Sequence, residues 1–315
     1  MKTLKLLKNL SMRQLRVFSA AARHHSFSKA AADLNLTAPA ISMQIKELEN
    51  DMGVMLFARV GRRVELTTAG EYFLVYTKKV VDTLRDAETT LSRFQGKEAG
   101  ILTIGLVSTA KYFLPQLLAR FKEDHFGIQI KLEVRNRDQM VALLRDGEID
   151  LAIMGRTPGD LDTRIEAFAA HPHAFIANPS HPLAERQSIS PMVLSQMEII
   201  TREAGSGTRA IMQRFLNDRG LTPQISMEMS SNESIKQAVI ANLGISFVSL
   251  HTVGLEVKYG EIAVLDIDET PISRAWHVVA LNKRNHSAAA EAFRYFVLEH
   301  GAAILDALHP NMVKN

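Results

Sequence analysis

The chain has 315 residues, 46% hydrophobic and 23% charged, the balance of a folded protein with room for two or three compact units. It contains no cysteine, which excludes disulfide scaffolds, thiolate-bound zinc, iron–sulfur clusters and thiol catalysis. Its net charge of +3 is unevenly spread: residues 1–66 carry 11 Lys and Arg against 5 Asp and Glu, and the rest carry 26 against 29, a basic polyanion-binding head on a mildly acidic body.

In chain order, Leu15, Phe18, Ala21 and Ala22 fall at helical spacing over 12–23. A second short helix is expected at 28–34, with Ser26 or Ser28 as its N-cap. After the turn Asn35-Leu36-Thr37, a third runs over 38–50, capped by Thr37, with Pro39 in the first turn where a missing N–H is harmless. Its Ile41, Ile45 and Leu48 share an inner face, and Pro39, Ser42, Met43 and Lys46 an outer one. The β-type runs in LFARVGRRVELT read as a hairpin. Two readings fit these elements: a winged helix-turn-helix, or an ordinary three-helix bundle with a surface hairpin. Ala69, Phe73, Tyr76, Val80, Leu84, Ala87, Leu91 and Phe94 then recur at steps of 3 or 4, the seam of a long helix, read as a linker that pairs with another helix, the other reading being a helix packed on its own domain.

Beyond 100, the apolar runs 101–107, 128–134 and 150–155 alternate with helices near 111–122 and 138–146. Strands at 198–200, 225–229 and 245–250 alternate with helices near 208–219 and 233–242. This predicts parallel sheet with helices on both faces, in two lobes with a cleft between them, and a crossing back to the first lobe by 276–281 and a helix at 288–300. Ligands of such sheets bind beyond the strands' carboxyl ends, near helix N-termini that suit anions. The turns placed there hold Ser108, Thr109 and Lys111, then Arg135, Asn136 and Arg137, then Gly155 and Arg156, then Arg202 to Arg209 with its Gly-Ser-Gly. So much arginine predicts a small anionic ligand. No Lys-Ser/Thr follows the glycines, so they form no phosphate loop of the nucleotide type. His171 and His173 have metal-ligand spacing without a third ligand, and a structural or edge-strand pair is the stronger reading. Ser206 has no histidine base, and neither an enzyme nor a cofactor is expected. No run approaches 20 apolar residues. The lysine-broken start MKTLKLLKNLSMRQL reads as a poor signal peptide, and the expected location is the cytoplasm.

Residues 12–70 resemble the winged helix-turn-helix of LysR-type transcriptional regulators through Phe18, Ala21, Ser26-Phe27, Ala30-Ala31, Leu34, Ala40-Ile41-Ser42, Gln44-Ile45, Leu48-Glu49, Gly53, Leu56-Phe57, Arg59, Arg62, Leu66-Thr67 and Gly70. In the body, GLVSTAKYFLP, IDLAIMGR, AAHPHAFIANPSHPL, REAGSGTR and SNESIKQAVIANLGIS resemble the subgroup that activates carbon-dioxide-fixation (RuBisCO and Calvin-cycle) operons. The resemblance implies an α/β protein with an all-α-type winged helix-turn-helix at 1–67, a linker helix at 68–96 and a two-lobed, periplasmic-binding-protein-like effector domain at 97–315. Lobe I would take about 100–169 and 274–315, lobe II about 170–273. It implies DNA contacts by Ser28, Thr37, Pro39, Ser42, Met43 and Lys46 in the major groove and by Arg62 and Arg63 on the wing. Effector contacts would come from the turn residues above, including Glu203, Ser206, Gly207, Thr208 and Arg209, and from Asn232 and Glu233.

The implied partners are promoter DNA, a sugar phosphate, phosphoenolpyruvate or NADPH-class metabolite, RNA polymerase, and further copies of the chain as dimer and tetramer. The alternative is a LysR-type regulator of another operon with a different anionic effector. Two positions depart from the family pattern, Ala38 where glutamine is frequent and Met43 where arginine is. They shift recognition from base-edge hydrogen bonds toward thymine methyls and DNA bending. A stand-alone solute-binding protein would lack the basic head, and an enzyme would need an acid–base or nucleophilic pair.

Overall fold

The computed structural model describes residues 10–60, 63–94, 100–282 and 286–308, without the side chains at 60, 63, 82 and 85–94. The chain divides into two units, Met1–Glu88 and Thr89–Asn315.

In the first unit, α1 (Met12–His24) opens on a capping box in which Ser11 and Gln14 satisfy each other's backbone N–H. Helix α2 (Phe27–Asp33) starts one residue earlier than the apolar spacing suggests, because Ser26 and not Ser28 caps it, accepting from the Lys29 N–H. Helix α3 (Ala38–Met52) is capped by the Thr37 hydroxyl and ends at Gly53, whose φ of 70° suits a residue without a Cβ. Strands β1 (Phe57–Val60) and β2 (Arg63–Leu66) pair antiparallel from Phe57↔Leu66 to Val60↔Arg63. Phe18 is the hub of the core, with ring centroids 5.4 Å from Phe57 and 4.9 Å from Phe73. Of the two readings open from sequence, this is the winged helix-turn-helix.

Helix α4 (Thr68–Phe94) begins where Thr67 accepts from the Gly70 N–H and donates to the Met55 carbonyl. The predicted pairing seam needs correction at its start. Ala69 and Phe73 pack on the core of this unit, and the stripe left exposed is Tyr72, Val75, Tyr76, Val80 and Leu84. Ala87, Leu91 and Phe94 lie outside the described side chains.

The second unit is built on one nine-stranded sheet. Strands β3 (Gly100–Val107), β4 (Ile128–Arg135) and β5 (Leu151–Met154) are mutually parallel, with α5 (Leu114–Asp124) and α6 (Arg137–Arg145) as their crossovers. Strands β7 (Glu198–Arg202), β8 (Gln224–Met229) and β9 (Ile245–Ser249) form a second parallel set, connected through α7 (Gly207–Asn217) and α8 (Asn232–Ile240). Each lobe thus has the parallel strands expected of it, and two antiparallel strands join the two sets. Strand β6 (Thr163–Ala177) and, after α9 (Gly254–Lys258) and β10 (Ala263–Val264), strand β11 (Ile272–Leu281) run antiparallel through the middle, giving the order β4-β3-β5-β11-β6-β9-β7-β8. Strand β6 hides in the sequence because Pro172 interrupts it, and proline is a poor member of a central strand. Its ladder with β9 starts at His173, so the missing N–H falls just outside those pairs.

One core joins Leu102, Ile104, Phe113, Phe121 and Trp276 to Phe293 of α10 (Ala288–Leu308). Two others lie on opposite faces of the second parallel set, with Phe175, Ile199 and Phe247 on one and Ile176, Ile200 and Val248 on the other, the two-residue period of a doubly covered sheet.

One buried carboxylate fixes the wing to α3. Glu49, 8% exposed, accepts from the backbone N–H groups of Leu56 (2.7 Å) and Phe57 (3.1 Å). Glu49→Ala strands both donors and should destabilise the winged unit by roughly 2–4 kcal/mol, with Glu49→Gln milder. Hydrogen exchange at the Leu56 and Phe57 amides checks this, and unchanged protection would refute it.

Candidate functional site

The carboxyl ends of β3, β4 and β5 face the N-terminus of α7 across a cleft that is open to solvent on one side. Of the turn residues expected there, Ser108, Thr109, Asn136, Arg137, Gly155, Arg156, Arg202, Ser206, Gly207 and Thr208 line it. Lys111, Glu203, Arg209, Asn232 and Glu233 do not. Val107, His171, His173 and Ile211 are the lining residues that sequence reasoning left out.

The basic side chains are committed to different degrees. Arg202, buried, gives Nε and Nη2 to the Glu203 carboxylate, Nη1 to Asn232 Oδ1 and Nη2 to Ser108 Oγ. Glu203 and Asn232 thus hold Arg202 and not the ligand space. Arg209 donates to the Arg202 carbonyl (3.0 Å) and to Glu228, tying β7 to β8. Arg135 pairs with Glu133 outside the cleft. Lys111 is exposed, 5.0 Å from the Tyr112 ring centroid, and Glu233 accepts from the Tyr112 hydroxyl. That leaves Arg137, bound to Asp138 and the Thr157 carbonyl with a buried Nε lacking a partner, and the exposed Arg156.

The two helix starts at the cleft also differ. Asn136 caps α6 in a full capping box, so its first turn is satisfied internally. Ser206 makes no side-chain cap bond to α7 although it is buried, which leaves the first N–H groups of that helix facing the cleft. No carboxylate lines the space among the described residues. With Arg202 neutralised by Glu203, the guanidinium groups of Arg137 and Arg156 and the N-terminus of α7 are what favour an anion here.

The cleft floor corrects the edge-strand reading of the histidine pair. His171 and His173 lie two residues apart on central β6 and so share a face, the signal that could have placed them together. His171 stacks on Trp276 with centroids 3.7 Å apart, and its Nε2 bonds Ser249 Oγ at 2.9 Å. A Cβ on Gly155 would come within 2.4 Å of His171 Nδ1, so Gly155 makes room for the imidazole. His173 Nδ1 donates to the His171 carbonyl. Burial pushes both imidazoles down, His173 to about 4 and His171 well below its ordinary value, so the floor is neutral at pH 7.

The stability sign follows. An unfolded histidine binds a proton near pH 6.5 and folded His173 only near 4, so the folded state loses stability as pH falls through that window. His173 alone should withdraw about 2 kcal/mol between pH 7 and pH 5. Melting temperature against pH, with His173→Asn flattening the slope, is the check; a parallel slope in the variant would contradict it.

In the first unit, α3 exposes Pro39, Ser42, Met43 (58% exposed) and Lys46 on the face opposite Ile41, Ile45 and Leu48. Thr37 spends its acceptor on the helix cap, and Ser28 is exposed on α2. Arg62 lies outside the described residues, as does the side chain of Arg63 at the start of β2.

A winged helix-turn-helix with an outward polar helix face, and a separate two-lobed unit with an anion-suited cleft, define a ligand-responsive DNA-binding regulator. Residues 12–71 match the bacterial regulatory helix-turn-helix protein, lysR family, and residues 95–302 the LysR substrate binding domain. The chain belongs to the LysR family of transcriptional regulators. It is 44% identical over 299 residues to the HTH-type transcriptional regulator CfxR of Cupriavidus necator, covering 95% of this chain and 94% of that one. It is 42% identical to a RuBisCO operon transcriptional regulator of Allochromatium vinosum, over 93% of this chain and 97% of that one. Among solved structures it is similar to the regulatory domain of Synechocystis PCC6803 CcmR in complex with 2-PG, at 35% identity and TM-score 0.62, covering 68% of this chain and 99% of that one. Full-length CbnR with its target DNA shares the fold at 22% identity and TM-score 0.64, over 92% of this chain and 99% of that one.

Proposed function

We propose that this regulator controls a carbon-dioxide-fixation operon, activating RuBisCO and Calvin-cycle genes in response to a small phosphorylated metabolite held in the cleft. The observation that carries the ligand class is a lining in which Arg137 and Arg156 keep their charge beside an uncapped helix N-terminus, with no carboxylate among the described lining residues. The similarity to CfxR, to the Allochromatium regulator and to CcmR with its 2-PG supports the same pathway and ligand class.

On DNA, α3 enters the major groove with Pro39, Ser42, Met43 and Lys46, aided by Ser28 and Thr37, while Arg62 and Arg63 follow the backbone from the wing. The exposed stripe of α4 pairs two chains, and the effector units assemble dimers into a tetramer that bends the promoter and engages RNA polymerase in the cytoplasm. Ligand shifts that assembly to the extent that it binds one arrangement better than another.

Lys46→Ala should weaken binding on every DNA sequence alike and lower the salt slope by about one unit. Affinity unaltered at physiological salt would remove Lys46 from the groove. For the ligand, Trp276 is the sole tryptophan and stacks on His171 of the cleft floor, so its fluorescence reports occupancy. Titration with 2-phosphoglycolate should saturate, Arg137→Ala should weaken it about ten-fold or more, and Arg209→Ala should leave it within about two-fold. A signal equally sensitive to both substitutions would place the ligand elsewhere.

A further inference from the structure

Beside the cleft, the two lobes of the second unit are tied by side chains as well as by β6 and β11. Trp276 Nε1 of the first lobe donates to His251 Nδ1 of the second at 3.0 Å, and the turn after β3 supplies two further ties. Ser108 Oγ accepts from Arg202 at 3.0 Å, and the Tyr112 hydroxyl donates to Glu233 Oε1, in the first turn of α8, at 2.5 Å. Glu233 is braced from behind. Lys236, one turn further on and only 4% exposed, donates to Glu256 at 2.6 Å and stands 3.1 Å from the Glu233 carboxylate. Its Nζ lies 4.9 Å from the Tyr112 ring centroid.

A buried ammonium needs partners, and these two carboxylates and one ring supply them. Burial and the Glu233 carboxylate hold the Tyr112 proton in place far above neutral pH. Burial opposes ionisation of Glu233, but hydrogen bonds from Tyr112 and Lys236 outweigh it and keep the carboxylate charged. Neither Tyr112 nor Glu233 lines the cleft, so the bond between them is not a ligand contact.

We infer that the Tyr112–Glu233 hydrogen bond, braced by Lys236 and Glu256, is a clasp between the lobes that meters passage of the ligand into and out of the cleft. The role of ligand rests on the function proposed above; the clasp itself rests on the geometry alone. Tyr112 shares its turn with Ser108 and Thr109, which line the cleft, so releasing the clasp loosens that wall, leaving Ser108–Arg202 as its side-chain tie to the second lobe. With the clasp made in both free and liganded states, exchange happens during its brief openings. Removing it therefore raises association and dissociation rates together and moves the dissociation constant little.

The absence of cysteine makes the test clean. Lys122→Cys on α5 and Gln213→Cys on α7, both exposed, take spin labels in the full-length chain, diluted into unlabelled protein for pulsed distance measurement without ligand. Tyr112→Phe, which keeps the ring over Lys236, should add a longer-distance population, and Glu233→Ala should reproduce it with no further gain in the double variant. Distances unchanged in both variants would overturn the clasp. Stopped-flow Trp276 fluorescence with 2-phosphoglycolate should then show both rates raised by about five-fold or more in Tyr112→Phe, with the dissociation constant within about two-fold. Bound ligand exchanging at the wild-type rate would also overturn it. If 2-phosphoglycolate does not bind the wild type, the ligand proposed above falls, and the label distances still decide the clasp.

Discussion

The antiparallel ladder between β6 and β11 is the constraint on which the second unit depends. Running from Ile272↔His173 to Leu281↔Thr163, it carries the chain from one parallel set to the other and back, and its face is the floor of the cleft. Two long strands joined along their length make the lobes parts of one continuous twisted sheet. The register shift between Trp276 and His277 falls beside the stacked Trp276–His171 pair, where the local twist is increased.

The electrostatics of the cleft come from selective neutralisation and not from a surplus of cations. Arg202 has its donors taken by Glu203, Asn232 and Ser108, and Arg209 is drawn away by Glu228. Arg137 and Arg156 carry what remains, together with the start of α7. The imidazoles below are neutral, because a charge buried there without a counter-ion is too unfavourable to persist. An anion entering this space meets oriented donors on one wall and an apolar stacked floor beneath, which rewards a ligand with one charged end and a compact body.

Much of this was legible in the sequence. The three N-terminal helices announced themselves through Ser26, Thr37 and Pro39 and through the spacing of Ile41, Ile45 and Leu48, because local capping and periodicity decide such elements. The turns beyond β3, β4, β5 and β7 were likewise placed by strand ends alone. What failed was non-local. Strand β6 has a proline at 172 and is completed only by β11, about a hundred residues later, so no window of sequence contains the reason for it. The diversion of Arg209, and of Glu203 and Asn232 onto Arg202, depends on which oxygen lies within 3 Å, which periodicity does not encode. The departure of Ala69 and Phe73 from the pairing seam has the same origin: the helix period was right, but the partner was the core of their own unit.

Gly155 carries a consequence for genetics. It sits at the carboxyl end of a strand, on the cleft wall, where the family pattern suggests a ligand contact. Its actual contribution is emptiness, since the edge of His171 fills the place a side chain would take. On the effector role proposed for the cleft, a selection for strains that no longer answer their inducer would return substitutions at Gly155 alongside those at Arg137. The two classes would look alike on a plate and differ in kind: one removes a charge from the cleft wall, the other tilts the floor beneath it.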